Sequence, residues 1–176
     1  MNRAVFLDRD GVLNRAIVRE GKPYAPKNTE EIEMLPDVPK AILSLRAAGY
    51  MTIVVTNQPD VGRGDIQQST AEDINARIKL ESGVDEIRVC YHSGDQDCIC
   101  RKPKPGMLLH AAEEHNLSLA ESFMIGDRWR DIDAGKAAGC KTVWIRSNYS
   151  ERLPYNADAI VESMAEAASA ILAGKV

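Results

Sequence analysis

Asp8 and Asp10 stand two residues apart, directly after the apolar run Ala4-Val-Phe-Leu7, and Gly11 follows them. In extended backbone residues i and i+2 point the same way, so both carboxylates can face one ligand. A third acid, Asp127, follows the apolar run 123–125 in the segment Ile-Gly-Asp127. A hard cation such as Mg²⁺ takes oxygen ligands in octahedral geometry and keeps several waters. Asp8, Asp10 and Asp127 form the expected magnesium set, with carboxylates from Asp8 and Asp127 and a loop carbonyl as a further oxygen. A metal-bound carboxylate keeps one oxygen free to attack phosphorus in line. Its neighbour two residues on can protonate a departing alkoxide and later deprotonate water. Gly11 lets the chain turn tightly beside them.

Two further segments fit phosphoryl chemistry. Thr56 and Asn57 close the run 51–55, offering a hydroxyl and backbone amides for an anion cradle. Lys102 supplies a compact positive charge for phosphoryl oxygens. Each residue alone is commonplace as a turn residue, a cap or a solvated charge. Their shared position at the ends of apolar runs is what favours chemistry.

The elements that must hold them alternate in type. Strands are expected at 4–7, 51–55, 86–90, 123–125, 141–145 and 159–161. Helices are expected after Asp37 (ending at Gly49), over 70–81, over 106–116, from about 131 to Gly139, and at the alanine-rich end. Asp37 is the expected N-cap of the first. Residues 11–34 show no period and contain Gly21, Pro23 and Pro26, so they read as a long working loop. Alternating strands and helices imply an α/β fold: a three-layer αβα Rossmann-like parallel sheet. Ligands then bind beyond the carboxyl ends of the strands. Asp8, Asp10, Thr56, Asn57, Lys102 and Asp127 all fall there. The intervals between them leave no room for a cap domain, so residues 1–176 read as one domain.

Cys90-x-His92 and Cys98-x-Cys100 are two ligand pairs separated by five residues. Three thiolates and an imidazole match tetrahedral zinc with no open position, hence a structural ion. A redox pair or a disulfide is the competing interpretation. Gly94, Asp95 and Asp97 suit a connection between the pairs. Arg101 and Lys102 follow the last ligand, so zinc would fix the backbone that aims the lysine. Cys140, His110 and His115 read as ordinary packing residues.

At 176 residues, 44% apolar and 27% charged, the composition is that of an ordinary globular domain. Net charge is −4 and no basic stripe is present, which argues against nucleic acid as a partner. No stretch approaches a membrane span, and Ala4–Leu7 is too short for a signal-peptide core. The expectation is a cytoplasmic monomer acting on a phosphorylated small molecule.

The segments Phe-Leu-Asp8-Arg-Asp10-Gly-Val-Leu-Asn14, Val-Val-Thr56-Asn57-Gln58, Arg101-Lys102-Pro-Lys-Pro-Gly and Ile-Gly-Asp127-Arg-Trp-Arg-Asp131 resemble the four motifs of the haloacid-dehalogenase superfamily. The resemblance spans nearly the whole chain. It implies Asp8 as nucleophile, Asp10 as acid and base, Thr56 and Lys102 as phosphoryl stabilisers, Asp127 as magnesium ligand and Asp131 behind it. An acid two residues after the nucleophile resembles the phosphatases of the superfamily, not its dehalogenases, which release halide and need no proton donor. The Cys/His loop resembles one branch, the heptose-bisphosphate and histidinol-phosphate phosphatases. The five-residue gap is similar to the histidinol side. Arg63-Gly64 and Arg101-Lys102-Pro-x-Pro-Gly-Met107 are similar to the heptose side, and two motifs outweigh a loop length.

The implied reaction is therefore removal of the 7-phosphate of D-glycero-D-manno-heptose 1,7-bisphosphate, with histidinol phosphate as the alternative substrate. A zinc-stabilised binding module with a vestigial site is the alternative from another class. Substrate contacts are expected from Arg63, Arg101 and Arg128, since arginine binds phosphate bidentately, and from Asn14, Asn57 and Gln58. Arg15, Arg130 and Asp60 are weaker candidates.

Overall fold

A computed structural model describes residues 2–94 and 96–176; Asp95, expected in the Cys/His loop, lies outside the described residues. Six strands form one parallel sheet: β1 (Arg3–Leu7), β4 (Tyr50–Asn57), β5 (Glu86–Cys90), β6 (Phe123–Gly126), β7 (Lys141–Ile145) and β8 (Ala159–Val161), in spatial order β5-β4-β1-β6-β7-β8. β2 (Ile17–Arg19) and β3 (Lys22–Tyr24) pair separately as an antiparallel hairpin. The helices are α1 (Val38–Ala47), α2 (Pro59–Gly62), α3 (Gln68–Ser82), α4 (Gly106–His115), α5 (Trp129–Ala138) and α6 (Met164–Leu172).

Strand alternation sends neighbouring side chains to opposite faces, and both faces are dry. Val5, Leu7, Val54, Ile125 and Val143 pack with Ile42 and Leu45 of α1, Ile74 and Ile78 of α3, and Ala167 and Ile171 of α6. Ala4, Phe6, Ile53, Val55 and Met124 pack with Leu108 and Ala111 of α4 and Ala134 and Ala138 of α5. This is the expected αβα arrangement.

The chain leaves β1 toward β4 and β5, then crosses back to β6, β7 and β8. The strand order therefore reverses between β1 and β6, the place where α/β sheets open a crevice. Asp8 stands after β1 and Asp127 after β6, and the Asp8 amide donates to the Ile125 carbonyl at 3.0 Å. Adjacent parallel strands thus put two distant acids side by side.

Two local expectations are corrected. Residues 11–34 are not a structureless loop: they contain the β2–β3 hairpin and a 3₁₀ turn at Thr29–Glu31, whose N-cap Asn28 side chain accepts from the Glu31 amide. Asp37 makes no side-chain cap on α1; its Oδ2 accepts from the Ala165 amide at 2.8 Å, at the start of α6. No further domain covers the carboxyl edge of the sheet among the described residues. No helix there is long and apolar enough to cross a membrane.

Candidate active site

The loop after β1 is wound around one carbonyl. Arg9 O accepts from the amides of Leu13 (2.8 Å), Asn14 (3.3 Å) and Val12 (3.4 Å), while Val12 and Leu13 are fully buried beneath it. Gly11 has φ +88°, and a Cβ there would lie 1.9 Å from Asp127 Oδ2. Only glycine lets the β1 loop approach the acid of β6 this closely. A Cβ on Gly126 would similarly meet Asp131 Cβ at 2.1 Å, so bare backbone makes room for two acids.

Carboxylate oxygens of Asp8, Asp127 and Asp131 lie within 4.8 Å of one another, and all three residues are buried. Lys102, 2% exposed, reaches two of them: its Nζ is 2.9 Å from Asp8 Oδ1 and 2.6 Å from Asp131 Oδ1. Asp131 Oδ2 accepts from the Arg128 amide at 3.0 Å. Three acids facing one buried ammonium leave excess negative charge. Burial, then the charge of Asp131, pushes Asp8 up to about 6 against the pull of Lys102. Burial, then Asp8 and Asp131, holds Asp127 well above the ordinary carboxylate range. Burial lowers the Lys102 ammonium, but the facing acids outweigh it and hold it above its usual value.

Asp127 Oδ1 is buried without a hydrogen-bond partner, although Oδ2 accepts from Tyr149 Oη at 2.6 Å. An orphan carboxylate oxygen in an over-negative cluster fits a divalent cation with oxygen preference. Asp8 and Asp127, the two acids expected to offer carboxylates, converge. Asp131, assigned a position behind the metal, stands in the cluster, whereas the Asp10 carboxylate is not grouped with it. Asp10 is held instead by Arg9, Asn14 and Gln58.

The other expected residues separate into two groups. Thr56, Asn57, Gln58, Arg63, Arg101, Lys102, Arg128 and Arg130 line a cleft of about 250 Å³ together with Asp8, Asp10 and Asp131. Pro23 and Tyr24 of the hairpin, with Ala25 just beyond it, also line the cleft. Arg63 is paired with Asp60 and Asp65, Arg101 donates to the His92 carbonyl, and Arg128 forks onto Glu151 at 2.7 and 2.8 Å. Asn14, by contrast, is fully buried and does not line the cleft. Its Nδ2 donates to Asp10 Oδ1 at 2.9 Å, so the expected substrate contact is replaced by a hold on Asp10. Asn57 grips the Lys102 backbone on both sides, Oδ1 accepting at 3.1 Å and Nδ2 donating at 3.0 Å. Arg15 turns away to pair with Glu33.

Several contributors carry no signal in the sequence. Arg9 and Asn75 lie behind Asp10. Trp144 Nε1 and Ser147 Oγ donate to the Asp127 carbonyl at 3.1 and 2.7 Å. Arg9 is the chain neighbour of Asp10, but Asn75 is 66 positions from Arg9, and Trp144 and Ser147 are 17 and 20 positions from Asp127, so only the fold shows these contacts.

Cys90, His92, Cys98 and Cys100 converge, each offering one ligand atom within 4.8 Å of the others. Their Sγ and Nδ1 atoms are 3.1 to 3.9 Å apart where they touch. Bonds to zinc of ~2.3 Å at a tetrahedral angle would separate two sulfurs by ~3.8 Å, so the cluster could hold zinc. All four cysteines are free thiols. A Cβ on Gly106 would meet Ile99 O at 2.2 Å, which packs the loop closely onto the start of α4.

Residues 99–167 match the HAD-hydrolase-like family model. The chain is 36% identical over 146 residues to a D-glycero-β-D-manno-heptose-1,7-bisphosphate 7-phosphatase of Helicobacter pylori, covering 80% of this chain and 81% of that one. It is 34% identical over 183 residues to the enzyme of that name from Pseudomonas aeruginosa, covering 98% and 99%. A solved D,D-heptose 1,7-bisphosphate phosphatase from B. bronchiseptica, complexed with magnesium and phosphate, superposes with a TM-score of 0.84 at 30% identity. That match covers 98% of this chain and 99% of the other. The chain belongs to the haloacid-dehalogenase-like phosphatases, in the family of the heptose-1,7-bisphosphate 7-phosphatases.

Proposed function

We propose that this phosphatase depends on magnesium, forms a phosphorylated Asp8, and removes the 7-phosphate of D-glycero-β-D-manno-heptose 1,7-bisphosphate. The observation that carries the reading is the meeting of Asp8, Asp127 and Asp131 with buried Lys102, of which Asp8, Asp131 and Lys102 line an arginine-rich cleft. Asp8, Asp127 and Asp131 would hold Mg²⁺, which when bound supplies positive charge to a phosphoryl oxygen and to the otherwise repelling acids. The Asp8 carboxylate attacks phosphorus as the bond to the leaving oxygen breaks. Asp10 gives that oxygen a proton, because an alkoxide is a poor leaving group at neutral pH. In the second half Asp10 takes a proton from water, the water oxygen attacks phosphorus, and the bond to Asp8 breaks, releasing inorganic phosphate. Lys102 and the Thr56 hydroxyl hold the equatorial oxygens throughout. Zinc at Cys90, His92, Cys98 and Cys100 plays a structural part.

The heptose substrate rests on the names of the relatives and on the cleft chemistry. Arg63, Arg101, Arg128 and Arg130 stand on its walls and suit a substrate with a second phosphate, since guanidinium binds phosphate bidentately. Histidinol phosphate has one phosphate and would leave the further arginines without an anion to bind. A phosphate-release panel with both anomers of the bisphosphate, histidinol phosphate and simple sugar phosphates tests the choice, with Asp8→Asn as control. Preference for histidinol phosphate overturns the substrate. No magnesium-dependent release from any ester overturns the reaction.

A further inference from the structure

A guanidinium with no exposed surface is costly unless every donor direction is used, and Arg9 is such a group. It is 0% exposed. Its Nε and Nη2 lie 3.0 to 3.3 Å from both oxygens of Asp10. Its Nη1 donates to Asn75 Oδ1 at 2.7 Å, and Asn75 is itself buried on α3. The carbonyl of Arg9 is the one around which the 9–14 turn winds, so backbone and side chain are both pinned. Asn14 and Gln58 complete the shell, donating to Asp10 Oδ1 and Oδ2 at 2.9 Å each. Gln58 Nε2 also donates to Thr56 Oγ1 at 2.9 Å, which ties the Asp10 carboxylate to the phosphoryl cradle.

We propose that Arg9, anchored by Asn75, is the positioning residue that sets the Asp10 carboxylate at the cleft wall where a leaving oxygen departs. The proposal rests on the reading of Asp10 as proton donor and explains why that acid stands apart from its neighbour two residues earlier. Two donors of one rigid guanidinium each reach both carboxylate oxygens and so hold the group between them, which the single ammonium of a lysine cannot do. The anchor lies on a helix that contributes nothing else to the cleft floor, so α3 takes part in the reaction through a single amide.

Leaving-group chemistry separates positioning from mere structural support. An alkoxide must receive a proton as it departs, whereas p-nitrophenolate leaves without one. Displacing a catalytic group by about 1 Å costs on the order of 10²-fold; in the phosphorylation step, which kcat/KM reports, that loss falls on the alkyl ester alone, whereas hydrolysis of phosphorylated Asp8 is common to both esters. The experiment measures kcat/KM, which reports transfer of the phosphoryl group to Asp8, on heptose bisphosphate and on p-nitrophenyl phosphate for wild type, Asp10→Asn, Arg9→Lys, Asn75→Ala and Asn75→Asp. Asp10→Asn, Arg9→Lys and Asn75→Ala should each lower the alkyl-to-aryl ratio of kcat/KM, the last two by about tenfold or more. Asn75→Asp keeps an acceptor for Nη1 and should restore most of the ratio. Should Arg9→Lys not fold, the two Asn75 variants carry the comparison.

If Asp10→Asn lowers the ratio while the Arg9 and Asn75 variants slow both esters equally, the positioning role is overturned and the acid role stands. An unchanged ratio in Asp10→Asn overturns the acid role, and the positioning role with it.

Discussion

Lys102→Met keeps most of the side-chain volume and removes the ammonium from between Asp8 and Asp131, which it contacts at 2.9 and 2.6 Å. Taking one partner from a buried, hydrogen-bonded ion pair costs about 3–5 kcal/mol, because the other charge stays behind without compensation. For a chain of this size 1 kcal/mol corresponds to about 2–4 °C, so the metal-free variant should melt about 6–20 °C lower at pH 8. The loss should shrink at pH 5. With Lys102 in place Asp8 titrates at about 6, and without it higher still, so at pH 5 the acid is mostly neutral and less charge is stranded. Added Mg²⁺ should return part of the stability at pH 8. Thermal unfolding at both pH values, with and without Mg²⁺, reads all of this. A variant as stable as wild type at pH 8 without metal, or one that loses more at pH 5, refutes the reasoning. Turnover should fall by about 10²–10³-fold, as for loss of one stabilising donor in a transition state.

The metal-free wild type should itself lose stability as pH rises from about 4 to 6. In that window folded Asp8, at about 6 against 3.8 ordinarily, retains a proton that the unfolded chain has released. The loss amounts to about 3 kcal/mol, and stability flat across the window in urea titrations would remove the premise. Gly11→Ala places a Cβ 1.9 Å from Asp127 Oδ2 at positive φ, so it should cost at least ~1–3 kcal/mol and abolish phosphate release; wild-type kinetics would contradict the close approach. Tyr149→Phe removes the 2.6 Å hydrogen bond to Asp127 Oδ2 and should weaken Mg²⁺ affinity about 10–100-fold by calorimetry. Cys98→Ser should lose zinc by elemental analysis, lower the melting temperature, and reduce turnover because Lys102 follows the ligand loop by two residues. A folded, zinc-free variant with full turnover would refute the coupling.

Much of the scaffold was legible because its signals are local. The strands at 86–90, 141–145 and 159–161 keep their expected bounds; in the interior strand β7 the apolar Val143, Trp144 and Ile145 are all buried, as a strand covered on both faces requires. The hairpin was not legible. Ile17–Arg19 and Lys22–Tyr24 bury nothing fully, so no alternation marks them, and Pro23 argued against a strand. Asp37 has the right residue type for a cap, yet its carboxylate serves α6 across 128 positions. A local motif says nothing about such competition.

The acids, the lysine and the Cys₃His cluster were determined by sequence, because the chemistry of each follows from residue type and spacing at strand ends. Tertiary structure decided which acids meet. Parallel pairing of β1 with β6 brings Asp8 beside Asp127, the first turn of α5 adds Asp131, and buried Arg9 draws Asp10 to the cleft wall. Two carboxylates with the same spacing and the same strand end acquire different partners, because a carboxylate's role depends on the charges within a few ångströms of it. Those neighbours come from distant parts of the chain.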